Sequence, residues 1–262
     1  MARVKRITSR DNTTYKSIRR LVRSASARSQ ERRIVLDGVH LVRAYLERFG
    51  TAGVEVVVRQ STAQQPEIGA LTQKARWATM TDSLFDQISP VKSPAGILAL
   101  APLPPIPRRS TTGFQVLLDG IRDPGNVGAI LRSAAAAGAT MVHLSADCAD
   151  PWSPKCLRGG MGAQFVLPVQ EHENLPLDAP RLGARLIACI AAGSISLFEA
   201  DLAGDVAFII GGEGAGISPN LLSQTEQQLR IPMRDGVESL NAAQAATVCF
   251  YEWLRRSRDA ST

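Results

Sequence analysis

VAFIIGGEGAGISPNLLSQTEQQLRIPM, residues 206 to 233, opens with an apolar run that reads as a buried strand and passes straight into Gly211, Gly212, Glu213, Gly214 and Gly216. Glycines at that density let a ligand approach the backbone closely, although a loop of this composition also serves as a plain turn. It is not a dinucleotide fingerprint. G-x-G starting at Gly212 would need its third glycine where Ile217 stands, and the Glu213 carboxylate would repel a pyrophosphate. No G-x-x-x-x-G-K-[ST] run occurs anywhere in the chain. A strand that ends in such a loop marks the sheet edge where α/β proteins place ligands, and a neutral or cationic ligand suits this one.

Working outward, residues 114 to 262 alternate strand and helix: FQVLLD, the helical AILRSAAAAGA, MVHLS, FVLPV, ARLIACIAA, VAFIIGG and a long terminal helix. That order predicts an α/β domain with a mostly parallel sheet covered on both faces. Asp123-Pro124-Gly125-Asn126 is turn chemistry, and the helix after it carries Arg132 among alanines. An arginine with that much room reaches a phosphate or a catalytic centre; the alternative is a solvent-exposed helix arginine. In the terminal helix Ala242, Ala245, Ala246, Cys249, Phe250, Trp253 and Leu254 form one stripe, with Asn241 and Gln244 resembling a capping box. Ser239 and Asn241 flank Leu240 just before it. Their side chains either cap the helix or face the crevice of the glycine loop.

The other half reads as a helix over residues 13 to 29, a strand RRIVLDG, an amphipathic helix from Val39 to Gly50, a strand VEVVV at 54 to 58, a helix over 64 to 76 and a strand GILAL at 96 to 100. APLPPIPRRSTTG, residues 101 to 113, suits neither helix nor ladder strand, so the boundary falls there: domains at 1 to 106 and 113 to 262, with a linker at 107 to 112. Of the 262 residues 45% are hydrophobic and 21% charged, which describes a chain able to bury a core rather than a disordered one. No apolar run approaches the roughly 18 residues of a membrane span, and the first 33 residues are too polar for a signal peptide, so the cytoplasm is the expected compartment. Cys148, Cys156, Cys189 and Cys249 form no C-x-x-C pair, and His40, His143 and His172 are scattered, so no metal is expected. The net charge of +6 is unevenly placed. Residues 1 to 50 hold thirteen Lys/Arg, Arg19, Arg20 and Arg23 among them, against Asp11, Glu31, Asp37 and Glu47. Such an end suits a polyanion, most often nucleic acid, with a solvated basic helix face or an organelle-targeting segment as the alternative, the acids Asp11 and Glu31 weighing against targeting.

Taken in order, DPGNVGAILRSA, IIGGEGAGIS with IPM, and ESLNAAQAA closely resemble the three motifs of SpoU/TrmH-type RNA ribose 2′-O-methyltransferases of the SPOUT class. SPKCLRGGMGAQFVLPV, residues 153 to 169, is similar to the family's R-x-S-x-G segment, with Gly160 where many members have Ser, and Ala-Ala-Gln follows SLN where Val-Ser is common. SRDN, VLDGVHLV and PAGILAL resemble the L30e-like substrate-binding domain that many members carry at the N-terminus.

The resemblance implies a C-terminal domain threaded as a trefoil knot, an exception to general topology rules. It implies a homodimer built through that domain and S-adenosylmethionine as the cofactor. It places Gly212, Glu213, Gly216, Ile231, Met233 and Leu240 at the cofactor, and Asn126, Arg132, Glu213, Ser239 and Asn241 in the catalytic set. RNA contacts are expected at Arg19, Arg20, Arg23 and Arg158. The implied reaction is methyl transfer to a ribose 2′-hydroxyl of structured RNA, ribosomal RNA before transfer RNA. Arg132 then acts either as general base, demanding for a guanidinium, or as a cation holding phosphate and developing alkoxide. A non-catalytic RNA-binding protein on the same scaffold is the competing class, and a nucleotide-dependent oxidoreductase a distant third.

Overall fold

The computed structural model describes residues 5–91, 93–106 and 113–259. The chain divides into two units: Met1–Pro105 with Trp152–Phe165, and Ile106–Pro151 with Val166–Thr262. The expected linker, 107 to 112, lies outside the described residues.

The first unit contains β1 (Lys5–Ile7), α1 (Thr13–Arg23), α2 (Ala25–Glu31), β2 (Arg33–Asp37), α3 (Val39–Phe49), β3 (Glu55–Arg59), α4 (Pro66–Thr72), β4 (Arg76–Met80), α5 (Asp82–Ile88) and β5 (Ile97–Pro102). The strands lie in the order β1-β4-β3-β5-β2, with β5 antiparallel to both neighbours and the remaining pairs parallel. Side chains alternate across this sheet as a strand requires. Ile34 and Leu36 join Val56 and Val58 in a core with Val42 and Tyr45 of α3, whereas Val35 and Val57 join Ile18 and Leu21 of α1 and Phe85 of α5 on the other face.

The helix expected over 13 to 29 is two helices. Ser24 ends α1, its N–H donating to Arg20 O at 3.0 Å, and its Oγ caps α2 by accepting from Ala27 N at 3.1 Å. Arg28 is consequently not on the basic surface: it is buried and donates to the carbonyl of Leu21 at the end of α1. The helix expected at 64 to 76 spans Pro66–Thr72, and Arg76 belongs instead to β4; β4, β1 and α5 stand where no element is expected from the sequence.

The second unit is built from β6 (Phe114–Asp119), α6 (Pro124–Ala137) and β7 (Met141–Ser145); then, after helix α7 (Pro154–Gly160), which belongs to the first unit, from β8 (Val169–His172), α8 (Leu175–Asp178), β9 (Arg185–Cys189), β10 (Ile195–Ser196), β11 (Val206–Gly211), α9 (Pro219–Leu222), β12 (Gln227–Arg230) and α10 (Ala242–Asp259). The sheet order is β10-β12-β9-β11-β6-β7-β8, and every pairing is parallel. In β6 and β11, Phe114 to Leu118 and Val206 to Ile210 are buried without interruption, the signature of strands covered on both faces; each large apolar side chain so buried contributes about 1.5–3 kcal/mol. Phe114, Phe208, Phe250 and Trp253 form an aromatic cluster that seats α10 on this sheet.

FVLPV is not a strand. Phe165 ends a 3-10 turn and packs with Leu157, Tyr45 and Phe49 in the first unit, and pairing starts only at Val169, after Pro168. Two of the three histidines scattered in the sequence, His143 and His172, meet in space. His143 Nδ1 lies 2.9 Å from His172 Nε2, and the chain runs on to Gln115 Oε1 at 2.9 Å and Asp178 Oδ2 at 2.8 Å. Among the described residues no group of three His, Cys, Asp or Glu has the arrangement to hold a metal ion, and no helix is long and apolar enough to cross a membrane.

Candidate active site

Helix α6 begins earlier than its alanine run suggests, because Pro124 suits a first helical turn and Asp123 caps it, Oδ1 accepting from Gly125 N at 2.7 Å and Asn126 N at 3.0 Å. That cap fixes Asn126 in the first turn. Its Nδ2 donates to Glu213 Oε1 at 2.9 Å, and Asn241 Nδ2 donates to the same oxygen at 2.9 Å and lies 3.1 Å from Asn126 Oδ1. Asn241 does two things at once. Its Oδ1 accepts from Ala243 N at 2.9 Å and Gln244 N at 3.4 Å, capping α10 while its amide holds Glu213. Capping and site-building, alternatives in the sequence, are one arrangement. Farther along, Ser133 and Thr247 hydroxyls meet at 2.7 Å and tie α6 to α10.

The glycines after β11 are required by backbone proximity. A Cβ on Gly212 would lie 2.3 Å from Gly120 O, and one on Gly211 would lie 2.3 Å from the carbonyl carbon of Gly216, whose own φ is +68°. Gly212 N donates to Asp119 O at 2.9 Å, which holds the loop against the end of β6. Between this loop and the segment leading to α10 lies a cavity of 360 Å³ lined by Gly211, Gly212, Gly216, Ile190, Ile210, Leu229, Ile231, Met233, Ser239 and Leu240, among others. Glu213 is its one charged lining residue among those described. Apolar walls, open backbone and a single carboxylate suit a flat heterocycle carrying a cationic arm, the character of S-adenosylmethionine. Leu240, 37% exposed, sits at the rim as an apolar side chain with surface still to cover.

Sequence spacing did not reveal that Cys189 and Cys249 are neighbours. Cys189 lines the cavity, and contact with Cys249 together with burial pushes its thiol well up, so it stays protonated and is no nucleophile. Nor does the sequence show that Ile190 and Leu229 line the cavity, because β12, which carries Leu229, and the edge strand β10 beside it are short and partly polar. A second cavity, of 490 Å³, shares Glu213, Gly216 and Ala242 with the first and is lined also by Asp119, Arg122, Asp123, Asn126 and Asp147.

The structure therefore unites Asn126, Glu213 and Asn241, and lines one cavity with Gly212, Glu213, Gly216, Ile231, Met233, Ser239 and Leu240. The side chains of Ser239 and Arg132 form no hydrogen bond with a described residue, and Arg132, exposed on α6, lines neither cavity. Six residues separate Arg132 from Asn126, about 9 Å of helical rise. In the first unit Arg19 and Arg23 are exposed, and Arg20 pairs with Glu31. Arg158 is not simply a surface cation. Its Nη1 donates to Asp37 Oδ2 at 3.0 Å, with the aspartate side chain wholly buried and the arginine 48% exposed. Burial pushes the Asp37 carboxyl up and Arg158 opposes it, while Asp37 Oδ1 has no hydrogen-bond partner among the described residues. At Gly160 a Cβ would come 2.5 Å from Gln164 Oε1, so the serine common at that position requires Gln164 to move.

The sequence pattern of the SpoU rRNA Methylase family matches residues 113–251. An uncharacterised tRNA/rRNA methyltransferase of Synechocystis is 31% identical over 98% of this chain and 96% of its own length. The 23S rRNA (guanosine(2553)-2′-O)-methyltransferase RlmP of Bacillus subtilis is 29% identical over 95% of this chain and 98% of its own. Among solved structures, the AdoMet-bound rRNA methyltransferase of Sinorhizobium meliloti superposes with a TM-score of 0.79 at 27% identity, covering 97% of this chain and 98% of that one. With the second and third motifs lining one glycine-walled cavity and the first joined to them through Asn126 and Glu213, the chain belongs to the SpoU rRNA Methylase family.

Proposed function

We propose that this protein transfers a methyl group from S-adenosylmethionine to a ribose 2′-hydroxyl of ribosomal RNA. The observation that carries the reading is the Asn126–Glu213–Asn241 network standing at the rim of an apolar cavity in which Glu213 is the one charge. Gly212, Gly216, Ile231, Met233 and Leu240 would hold the cofactor. Bound there, S-adenosylmethionine supplies an electrophilic methyl on a sulfonium sulfur. The chain's own residues supply alignment, because in-line displacement rewards fixed geometry. Glu213 Oε1 is saturated by two amide donors, which fixes the carboxylate and leaves Oε2 without a described partner. Arg132, exposed and unengaged, offers its fork of N–H donors to the RNA phosphate and to the alkoxide as it develops. Ser239, on the cavity rim, orients the acceptor beside Asn241.

Residues 1 to 106 act as an L30e-like RNA-binding domain, 107 to 112 as a linker and 113 to 262 as the methyltransferase domain, working in the cytoplasm. A trefoil knot is supported by β11, which follows β9 in sequence yet inserts between β6 and β9. A homodimer through the second unit is supported by exposed apolar side chains there, Phe198 and Tyr251.

The test has two arms on the full chain. Calorimetry with S-adenosylmethionine and no added metal should show one site, and radiolabelled methyl from it should enter rRNA lacking the modification, at a nucleotide that then resists alkaline cleavage. Cofactor binding with no transfer to any rRNA would leave a non-catalytic RNA-binding protein. Absence of cofactor binding would overturn the reading altogether.

A further inference from the structure

The cations of α1 do not all face the same way. Thr13, Ser17 and Arg20 follow helical spacing, and with Lys16 they occupy one flank of the helix. Together with Thr14 they line a cavity of 520 Å³ whose other wall is Arg33 at the start of β2, Glu55 at the start of β3 and Leu100. Arg19 and Arg23 lie outside this lining. Three cations from two elements thus converge with three hydroxyls. Glu55 is the one carboxylate of the lining, and Thr14 Oγ1 donates to it at 2.9 Å.

The cations are lightly held. Lys16, 61% exposed, pairs at 2.9 Å with the exposed Asp11, a pairing that contributes little, and Arg20, 62% exposed, pairs with the half-buried Glu31 and keeps donors of its fork for solvent. Arg33 donates to Gly53 O at 3.4 Å and keeps further donors. An ammonium, two guanidinium forks and hydroxyls around one space match an anion that only accepts hydrogen bonds and offers several oxygens. A nucleobase has no use for three cations. We infer that this cleft is a phosphodiester-binding site through which the N-terminal unit holds the RNA backbone. The inference rests on the reading that this unit grips RNA, and it says where.

The test is anisotropy of a labelled structured RNA hairpin against the full chain over a range of salt, with thermal melts to verify folding. Lys16→Ala with Arg33→Ala should weaken binding about tenfold at low salt and make the log–log salt slope shallower by about 0.8, the loss of one phosphate contact. Ser17→Ala, which changes no charge, should weaken binding about threefold with the slope unchanged. Glu55→Gln should tighten binding about twofold, the opposite sign, because it removes the carboxylate facing the anion. The control, Arg19→Ala with Arg23→Ala, removes the same charge outside the cleft and should lose less. If the control loses affinity while the cleft variants do not, the cleft assignment is overturned and the grip by this unit stands. If neither pair alters affinity, the reading of the N-terminal unit falls and the cleft falls with it. Cofactor affinity should be the same in every variant.

Discussion

The glycine-walled cavity of the second unit and the cationic cleft of the first differ in what they can hold and in how solvent acts on them. One has apolar walls, backbone at close range and a single carboxylate; the other has Lys16, Arg20 and Arg33 around a space open to water. Binding in the first comes from burying apolar surface and from shape, which salt scarcely alters. Binding in the second comes from charge, which salt screens over about 10 Å at 0.1 M. Donor recognition and polymer recognition are thus separated by physical mechanism as well as by place in the chain.

The largest expected effect tests whether chemistry is separable from cofactor binding. Arg132 lines neither cavity, so Arg132→Ala should lower methyl transfer by about 10³-fold while leaving S-adenosylmethionine affinity within about threefold. Single-turnover transfer and a cofactor titration on the same preparation give both numbers. Parallel losses would make Arg132 a structural or cofactor residue and erase the distinction.

Next in size is the response to salt. Raising salt from about 50 to 200 mM should weaken RNA binding by about a hundredfold or more while moving cofactor affinity less than about twofold. A cofactor affinity that falls in step with RNA would mean that charge, not burial, holds the cofactor.

What the sequence made legible follows the same division. The parallel sheet could be read because β11 is an apolar run and β6 nearly so, with Gln115 its one polar residue before Asp119, and the site could be read because Asn126, Glu213 and Asn241 sit in motifs at element ends. The first unit was harder. β1 is three residues long, and in β4 the adjoining Trp77 and Ala78 blur in the sequence an alternation that burial does show, so tertiary pairing more than local propensity makes them strands. Nor does spacing reveal that Arg28 turns inward onto α1, that Arg158 meets Asp37 across 121 positions, or that Cys189 finds Cys249. Those are contacts between faces, and a one-dimensional pattern carries the face but not its partner.

The Arg158–Asp37 pair gives the third expectation. Removing one partner of a buried charge leaves the other without compensation. Because Arg158 is half exposed, Arg158→Ala should cost about 2 kcal/mol of stability rather than the full penalty of a buried pair. Asp37→Asn in the same chain should restore much of it. Denaturant titrations of the single and double variants provide the check, and equal losses in both would show that Arg158 contributes by packing.

The smallest effect concerns two carboxylates, one in each unit, that respond to acid in opposite senses. Glu252 on α10 has its side chain 9% exposed, accepts from Arg255 at 2.9 and 3.0 Å and from Arg256 at 2.6 Å, and the hydrogen bonds from Arg255 above all hold its carboxyl down at about 2. A carboxyl lower in the folded than in the unfolded chain stabilises the fold above the ordinary glutamate range near 4.5 and loses that contribution as pH falls toward 2. Asp37 is the reverse: burial outweighs Arg158 and raises its carboxyl, so the folded chain takes up the proton more readily and this group favours folding more as pH falls. Between about pH 5 and 2.5 the loss of denaturant midpoint should therefore be shallower in Glu252→Gln than in the parent chain, and steeper in Asp37→Asn. Matching slopes in all three proteins would mean that neither carboxylate governs the acid limb, and the contrast between an arginine-dominated and a burial-dominated acid would have no consequence for stability.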